Sequence, residues 1–123
     1  MLDRLFAYGT LMYPEVWHRV VGRPVESRRA TLVGHQALCV AGYDFPGLVP
    51  AEPLSIVEGL VYEGLSVPEL NALDEYESSM YDRVTLQVTT ADQCQHEAYV
   101  YLVNESRRSQ LTGEIWQPDP QQL

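Results

Sequence analysis

One carboxylate, Glu77, falls on the apolar side of a predicted helix. Pro68 favours a helix start, and Leu70 and Leu73 follow it with helical spacing. Continuing that stripe by four residues from Leu73, or by seven from Leu70, reaches Glu77. Removal from water raises the pKa of a glutamate, which suits it to take and return protons near neutral pH. The pattern is equally compatible with a helix that ends near Tyr76 and leaves Glu77 as an exposed capping residue.

A glycine-containing turn near the amino terminus could hold an anion. Leu5 to Tyr8 is short and apolar, as in a buried strand, and Gly9 follows it directly. Glycine allows backbone dihedral angles that other residues resist, and it leaves no side chain to bar a ligand. The N–H groups of Gly9, Thr10 and Leu11 could then point into one concavity and bind a carboxylate or an oxyanion. Taken alone, this motif more often indicates only a turn between a strand and a helix.

Other catalytic groups lack suitable neighbours in the sequence. Thr10 could act as the nucleophile of a hydrolase only beside a base, but His18, His35 and His96 are scattered at spacings that indicate no pair. The histidines, cysteines and carboxylates form no group with the spacing of metal ligands. A threonine hydrolase is therefore the weaker hypothesis, and we expect no metal site.

The helices and strands predicted around Gly9 and Glu77 indicate an α+β domain. One further helix is predicted over Pro14 to Val21, with Gly22 as its stop. The predicted strands after the first are residues 29–40 with a bend at Gly34, 48–49, 56–65, 81–90 and 98–103. About six strands and two helices without regular βαβ units favour a small, strongly coiled mixed sheet or barrel. Residues 1–123 are predicted to form a single domain, with residues 117–123 as a frayed tail.

Composition and charge restrict the class of partner. The 123 residues are 46% hydrophobic and 20% charged, as expected for one domain with a single core. The formal net charge of −9 argues against nucleic acids and anionic membrane surfaces as partners. No run is long and apolar enough to cross a bilayer, and the first residues do not resemble a signal peptide. We therefore expect a cytoplasmic protein that binds neither nucleic acid nor membranes. The sequence leaves the oligomeric state open, and we favour a monomer.

Several motifs, taken in order along the chain, resemble the γ-glutamylcyclotransferase-like superfamily, and in particular its avirulence-induced-gene branch. That signature runs from a first strand into Tyr-Gly-Ser/Thr-Leu, and then from Leu-Asp-x-aromatic-Glu to Tyr-x-Arg. The matching segments here are Tyr8 to Leu11, Leu73 to Glu77 and Tyr81 to Arg83, supported by residues 46–50, 57–59, 98–101 and 111–116. The resemblance covers nearly the whole chain. One departure is Ser78, because some relatives have glycine after the glutamate, and this difference concerns the rim of the pocket and the choice of substrate.

The resemblance implies a small mixed β-barrel flanked by short helices, with one pocket. It assigns the catalytic acid/base to Glu77. It assigns contact with the substrate to the backbone cradle and to two pocket tyrosines, namely Tyr8, Gly9, Thr10, Leu11, Tyr81 and Tyr101.

The activity that the resemblance implies is cyclisation of a γ-glutamyl compound. The substrate's own α-amino group would attack its γ-carbonyl carbon and release 5-oxoproline together with an amine or amino acid. Because this attack is intramolecular, the protein has to supply neither a nucleophile nor a metal or cofactor. The alternative is a non-catalytic module that binds a γ-glutamyl or other acidic ligand in the same pocket.

Overall fold

The computed structural model describes residues 2–123, which form eight β-strands and two α-helices. The strands are β1 (Leu5–Ala7), β2 (Ser27–Val33), β3 (His35–Val40), β4 (Pro46–Pro50), β5 (Ile56–Tyr62), β6 (Tyr81–Thr90), β7 (Gln95–Val103) and β8 (Leu111–Ile115). The helices are α1 (Pro14–Val21) and α2 (Val67–Glu77). Short 3₁₀ segments cover Thr10–Met12, Ser78–Met80 and Glu105–Gln110.

Five of the strands close into a barrel in the order β1-β5-β2-β6-β7. The short strand β1 completes the closure, because it pairs antiparallel with β5 and parallel with β7, where Leu5 lies opposite Tyr99. The predicted fold class, a small mixed barrel with few helices, is confirmed. The remaining three strands form a second sheet in the order β4-β3-β8, which the sequence analysis did not foresee.

The second sheet arises where the chain turns at Gly34. This glycine has φ +76°, a left-handed conformation that favours glycine, and it divides the predicted strand 29–40 into β2 and β3. The loop chemistry of residues 43–47 hid the start of β4, whose Pro46 pairs with Cys39 of β3. Strand β8 was not predicted, and β3 holds it through the pair Val40–Leu111 among others.

Buried side chains form two clusters on opposite faces of the barrel strands. Phe6, Leu32, Val61, Val88 and Val100 come from all five barrel strands and belong to one cluster, which fills the barrel. Side chains alternate along a strand, so the neighbours of these residues point outward. The outer cluster packs the barrel against the helices and includes Leu5, Trp17, Tyr62, Leu70 and Leu73. Both α-helices are thus fixed to the barrel wall by apolar contacts.

Local signals define the ends of both helices. The bounds of α1 agree with the prediction, and Gly22 caps its carboxyl end in the left-handed conformation. At the start of α2, the Ser66 hydroxyl accepts a hydrogen bond from the Glu69 N–H, and the Glu69 carboxylate accepts one from the Ser66 N–H. This capping box, with Ser66 as the N-cap residue, fixes the start of the helix at Val67. Helix α2 continues to Glu77.

Residues 117–123 form neither a helix nor a strand, but they are tied to the domain at one point. The Asp119 N–H donates a hydrogen bond of 2.9 Å to the Tyr13 hydroxyl oxygen. Between residues 2 and 123, no helix has both the length and the apolar character needed to span a membrane.

Candidate active site

A cavity of about 200 Å³ is bordered by the turn that follows β1 and by the carboxyl end of α2. All seven site residues predicted from the sequence line it: Tyr8, Gly9, Thr10, Leu11, Glu77, Tyr81 and Tyr101. The fold therefore brings together two segments that lie far apart in the sequence. Whether these residues act on a substrate stays a prediction.

Gly9 is in close contact with β4. Its φ of −123° and ψ of −140° lie outside the left-handed region, and a need for the dihedral freedom of glycine here stays a prediction. A Cβ atom at this position would lie 2.9 Å from Cγ of Pro46 and 3.0 Å from its Cδ. The glycine is needed because β4 passes directly behind the turn. Its missing side chain leaves the wall of the cavity as bare peptide.

The turn after β1 presents two N–H groups without protein acceptors. In the 3₁₀ segment, the Met12 N–H donates to the Gly9 carbonyl, and the Tyr13 N–H donates to the Thr10 carbonyl. Within residues 2–123, the N–H groups of Thr10 and Leu11 donate to no other protein group. Such free donors at the start of a helical turn can bind an anion or a carbonyl oxygen.

The position of this turn is set from outside the barrel. The Tyr62 hydroxyl donates a hydrogen bond of 3.1 Å to the Leu11 carbonyl oxygen. The Tyr62 ring is stacked on Trp17 of α1, with 3.6 Å between the ring centroids. The helix and β5 thus hold the turn in one orientation.

Glu77 lies half-buried at the end of α2 and has the orientation that the leucine stripe predicts. Leu70 and Leu73 on the same stripe are buried, whereas Glu75 is exposed. Within residues 2–123, no hydrogen bond or ion pair reaches the Glu77 carboxyl group. Burial raises the pKa of Glu77 to about 7. A carboxyl group with this pKa exchanges protons readily at neutral pH.

Three tyrosines form much of the cavity wall, and each uses its hydroxyl proton within the protein. Tyr8 donates to the Tyr101 carbonyl oxygen at 2.6 Å, and Tyr81 donates to the Pro46 carbonyl oxygen at 2.6 Å. The Tyr101 hydroxyl donates to the Asp74 carboxylate at 2.7 Å. Burial raises the pKa of all three hydroxyl groups, so they stay neutral. They can offer ring faces and oxygen lone pairs to a ligand.

Asp74 ties the last turn of α2 to the barrel. Its Oδ1 accepts the Tyr101 hydrogen bond and also lies 3.2 Å from Arg83 Nε. The Arg83 guanidinium carbon lies 4.3 Å from the centroid of the Tyr99 ring, within the range of a cation–π contact. Asp74 precedes Glu77 by almost one helical turn, so this network restrains the orientation of the Glu77 segment.

Several residues that were not predicted as site residues also line the cavity. Phe45 reaches it from the β3–β4 connection and Pro46 from the start of β4, and Tyr76 and Met80 come from either side of Glu77. The Tyr76 hydroxyl oxygen lies 3.1 Å from Thr10 Oγ1. Tyr76 is the aromatic residue of the Leu-Asp-x-aromatic-Glu motif, and this was the sequence signal for it, since its ring falls outside the leucine stripe.

A threonine hydrolase of the kind considered from the sequence would need a histidine beside Thr10. Among residues 2–123, none of those that line the cavity is a histidine. In the same part of the chain, no three His, Cys, Asp or Glu side chains are grouped so as to hold a metal ion. The ionisable groups at the cavity are thus one carboxyl group and neutral phenols.

Comparison with known proteins gives a family and a set of related folds. The family model described as "Gamma-glutamyl cyclotransferase, AIG2-like" matches residues 5–119. AIG2-like protein C of Arabidopsis thaliana is 35% identical over 100 residues, which make up 79% of this chain and 58% of the relative. The chain spans between 52% and 64% of the length of the curated relatives it matches.

Solved structures share the architecture. A solution structure of an Arabidopsis thaliana protein has a TM-score of 0.78 and 27% identity, covering 94% of this chain and 69% of that one. A structure named gamma-glutamyl cyclotransferase has a TM-score of 0.73 and 22% identity, covering 98% of this chain and 73% of that one. At this identity, the second likeness shows the fold alone.

Proposed function

Because the chain belongs to the gamma-glutamyl cyclotransferase, AIG2-like family, we propose that it catalyses the cyclisation of a γ-glutamyl compound to 5-oxoproline. The observation that carries the proposal is the state of Glu77. Its carboxyl group lines the cavity, makes no hydrogen bond with residues 2–123, and has a pKa that burial raises to about 7. A structural carboxylate would be expected to have a protein partner, whereas a proton-transfer group has to be free to meet the substrate.

The proposed reaction needs one base and one acid, and Glu77 can serve as both. The Glu77 carboxylate takes a proton from the substrate's α-ammonium group, and the freed amine attacks the γ-carbonyl carbon. A new C–N bond closes the five-membered ring, and the C–N bond to the leaving group breaks. The protonated Glu77 then donates its proton to the departing nitrogen, which restores the carboxylate. The second proton that the attacking nitrogen loses on ring closure passes to the released amine, so the products are 5-oxoproline and an ammonium ion.

The turn after β1 can supply the electrostatic part of the reaction. In this proposal, the N–H groups of Thr10 and Leu11, which have no acceptor among residues 2–123, bind the anion that develops on the carbonyl oxygen or the α-carboxylate of the substrate. One preorganised donor to a developing oxyanion typically contributes about 3 kcal/mol to lowering the barrier. Holding the substrate in the ring-closing conformation lowers it further, because the two reacting groups already belong to one molecule.

A mass-spectrometric assay of 5-oxoproline tests the proposal. The panel contains γ-glutamyl dipeptides, γ-glutamyl amines and γ-glutamyl-lysine isopeptides, each also incubated without protein to measure spontaneous cyclisation. Glu77→Gln keeps the shape of the side chain and removes its acid–base function, so we expect kcat to fall by about 10²–10⁴-fold. Glu75→Gln is the matched control, since Glu75 is exposed on the same helix. A Glu77→Gln variant with a nearly normal rate would contradict the proposed role.

The non-catalytic alternative gives a different result in the same assay. A binding module would be stabilised against heat by members of the panel but would release no 5-oxoproline from any of them. That outcome would replace the enzyme with a ligand-binding protein built on the same cavity.

A further inference from the structure

The same cavity of about 200 Å³ is lined by Glu77 and Gly9, which the proposed reaction uses, and by the aromatic side chains of Phe45 and Tyr76. If the proposed function holds, the glutamyl half has to reach Glu77 and the bare peptide wall at Gly9. The leaving group then lies towards the opening of the cavity.

Aromatic side chains occupy the outer part of the cavity. Phe45 is half-buried, and Tyr76 has 40% of its surface exposed, although both line the cavity. Tyr43 continues this surface outward, because its ring centroid lies 4.9 Å from that of Phe45 while 64% of its surface is exposed. Exposed aromatic rings that adjoin a cavity commonly mark a place where a ligand binds.

Tyr43 and Phe45 lie in the β3–β4 loop, and Trp116, the residue that follows β8, holds this loop in place. The Trp116 Nε1–H donates a hydrogen bond of 2.8 Å to the Asp44 carbonyl oxygen. The Trp116 N–H also donates to the Ala37 carbonyl oxygen at 3.0 Å, which fixes Trp116 to β3. The rings of Tyr43 and Phe45 are therefore presented from an anchored loop, which reduces the entropy that a ligand would lose in ordering them.

The charges around the cavity disfavour an anionic leaving group. Of its lining residues within 2–123, Glu77 is the only one that carries a formal charge, and none is Arg, Lys or His. A carboxylate on the leaving group would lose water without gaining a cation, and it would lie near the Glu77 carboxylate. An uncharged ring meets neither penalty and can pack against Phe45 and Tyr76.

We propose that Phe45 and Tyr76, extended by Tyr43, form a leaving-group subsite that prefers an uncharged aromatic or apolar amine over an amine that carries a carboxylate. This inference rests on the proposed function, since it names the part of the substrate that the same site selects.

The test compares three substrates that share the γ-glutamyl half: γ-glutamyl benzylamide, γ-glutamyl methylamide and γ-glutamylglycine. We expect kcat/KM for the benzylamide to exceed that for γ-glutamylglycine by about tenfold or more. Phe45→Ala is expected to lower kcat/KM for the benzylamide by about tenfold and to leave the methylamide nearly unchanged. Tyr43→Ser is a second variant that should fold normally because Tyr43 is exposed, and it should reduce the benzylamide preference by a smaller factor.

Two results would overturn the subsite. One is equal kcat/KM for the benzylamide and γ-glutamylglycine, and the other is an equal loss for all three substrates in Phe45→Ala. If no substrate yields 5-oxoproline, the proposed reaction fails, and the subsite is then decided by calorimetric binding to Glu77→Gln. Tighter binding of the benzylamide by about tenfold would support the subsite, and equal affinities would refute it.

Discussion

The hydroxyl oxygens of Thr10 and Tyr76 lie 3.1 Å apart, and this hydrogen bond connects the two walls of the cavity. Thr10 belongs to the turn after β1, and Tyr76 precedes Glu77 in α2. The bond therefore helps to fix the distance between the peptide N–H groups and the carboxyl group, which the proposed reaction uses together.

Removing either hydroxyl should weaken this connection to the same extent. We expect Tyr76→Phe and Thr10→Val each to lower the free energy of unfolding by about 0.5–1 kcal/mol, because the bond is partly exposed. The free energy of unfolding of the double variant should be little lower than that of either single variant, since the same hydrogen bond is removed in all three. Urea unfolding of the four proteins gives the coupling energy, and strictly additive losses would show that the two hydroxyl groups do not interact.

The raised pKa of Glu77 should make the stability of the protein depend on pH. The group titrates near pH 7 in the folded state and near 4.3 in an unfolded chain. Between these values the folded protein holds a proton that the unfolded chain has released, so stability is lost as pH rises from about 4.5 to 7. After allowance for partial exposure, we expect the difference in unfolding free energy between the wild type and Glu77→Gln to change by roughly 2 kcal/mol from pH 4 to pH 8.

Comparing the two proteins isolates Glu77 from the other titrating groups. Glu77→Gln should be the more stable of the two at pH 8, because it removes a half-buried charge. Identical pH profiles of stability for the two proteins would contradict the raised pKa.

Ser78 adopts a backbone conformation that favours glycine. It directly follows Glu77 and has φ +66° and ψ −170°, a region that residues with a side chain rarely occupy. Ser78→Gly should relieve this strain and raise the free energy of unfolding by about 1 kcal/mol, net of the greater entropy that glycine loses on folding. Thermal or urea unfolding measures the change, with Ser79→Gly as a neighbouring control. Destabilisation by Ser78→Gly would show that the conformation carries no strain.

Gly9 should not tolerate a methyl group. In Gly9→Ala, the new Cβ would lie 2.9 Å from the Pro46 ring, which is buried and rigid. Overpacking of this kind typically costs about 1–3 kcal/mol and displaces the turn that carries the free N–H groups. Gly113→Ala is the matched control, because a Cβ there has no neighbour within 4 Å and should change stability by less than about 0.5 kcal/mol. Equal effects of the two substitutions would contradict the contact.

The hydrogen bond from Tyr101 to Asp74 should contribute measurably to the stability of α2. Tyr101→Phe removes the donor and Asp74→Ala removes the acceptor. Since the hydrogen bond is only partly buried, we expect a coupling energy of about 1 kcal/mol in a double-mutant cycle followed by urea unfolding. A coupling near zero would mean that Arg83 alone holds the Asp74 carboxylate.

The helices could be predicted from sequence because their signals are local, whereas an inward position of Glu77 was one of two alternatives that the sequence left open. Pro14 and Gly22 mark the ends of α1 within a few residues, and the leucine stripe of α2 points Glu77 inward. The same local signals identified Gly9 but not its role, because Pro46 approaches it from a strand whose path depends on the whole fold.

The second sheet shows what local patterns could not supply. Strand β8 contains Thr112, Gly113 and Glu114, which have little tendency to form a strand by themselves, and it is a strand because β3 pairs with it. Tyr76 escaped assignment for a related reason, since its importance comes from Thr10, on the opposite wall of the cavity.

Because Leu5 pairs with Tyr99, the barrel of a growing chain cannot close until β7 has been synthesised. Tyr99 is made 94 residues after Leu5 (99 − 5), which takes about 5–20 s at ordinary rates of synthesis. Until β7 is made, at least one edge of β1 is open, and until α2 is made the turn that follows β1 has no fixed position relative to Glu77. A nascent chain that stalls before β7 would therefore present an apolar edge without a working cavity, and release of such fragments favours aggregation over partial activity.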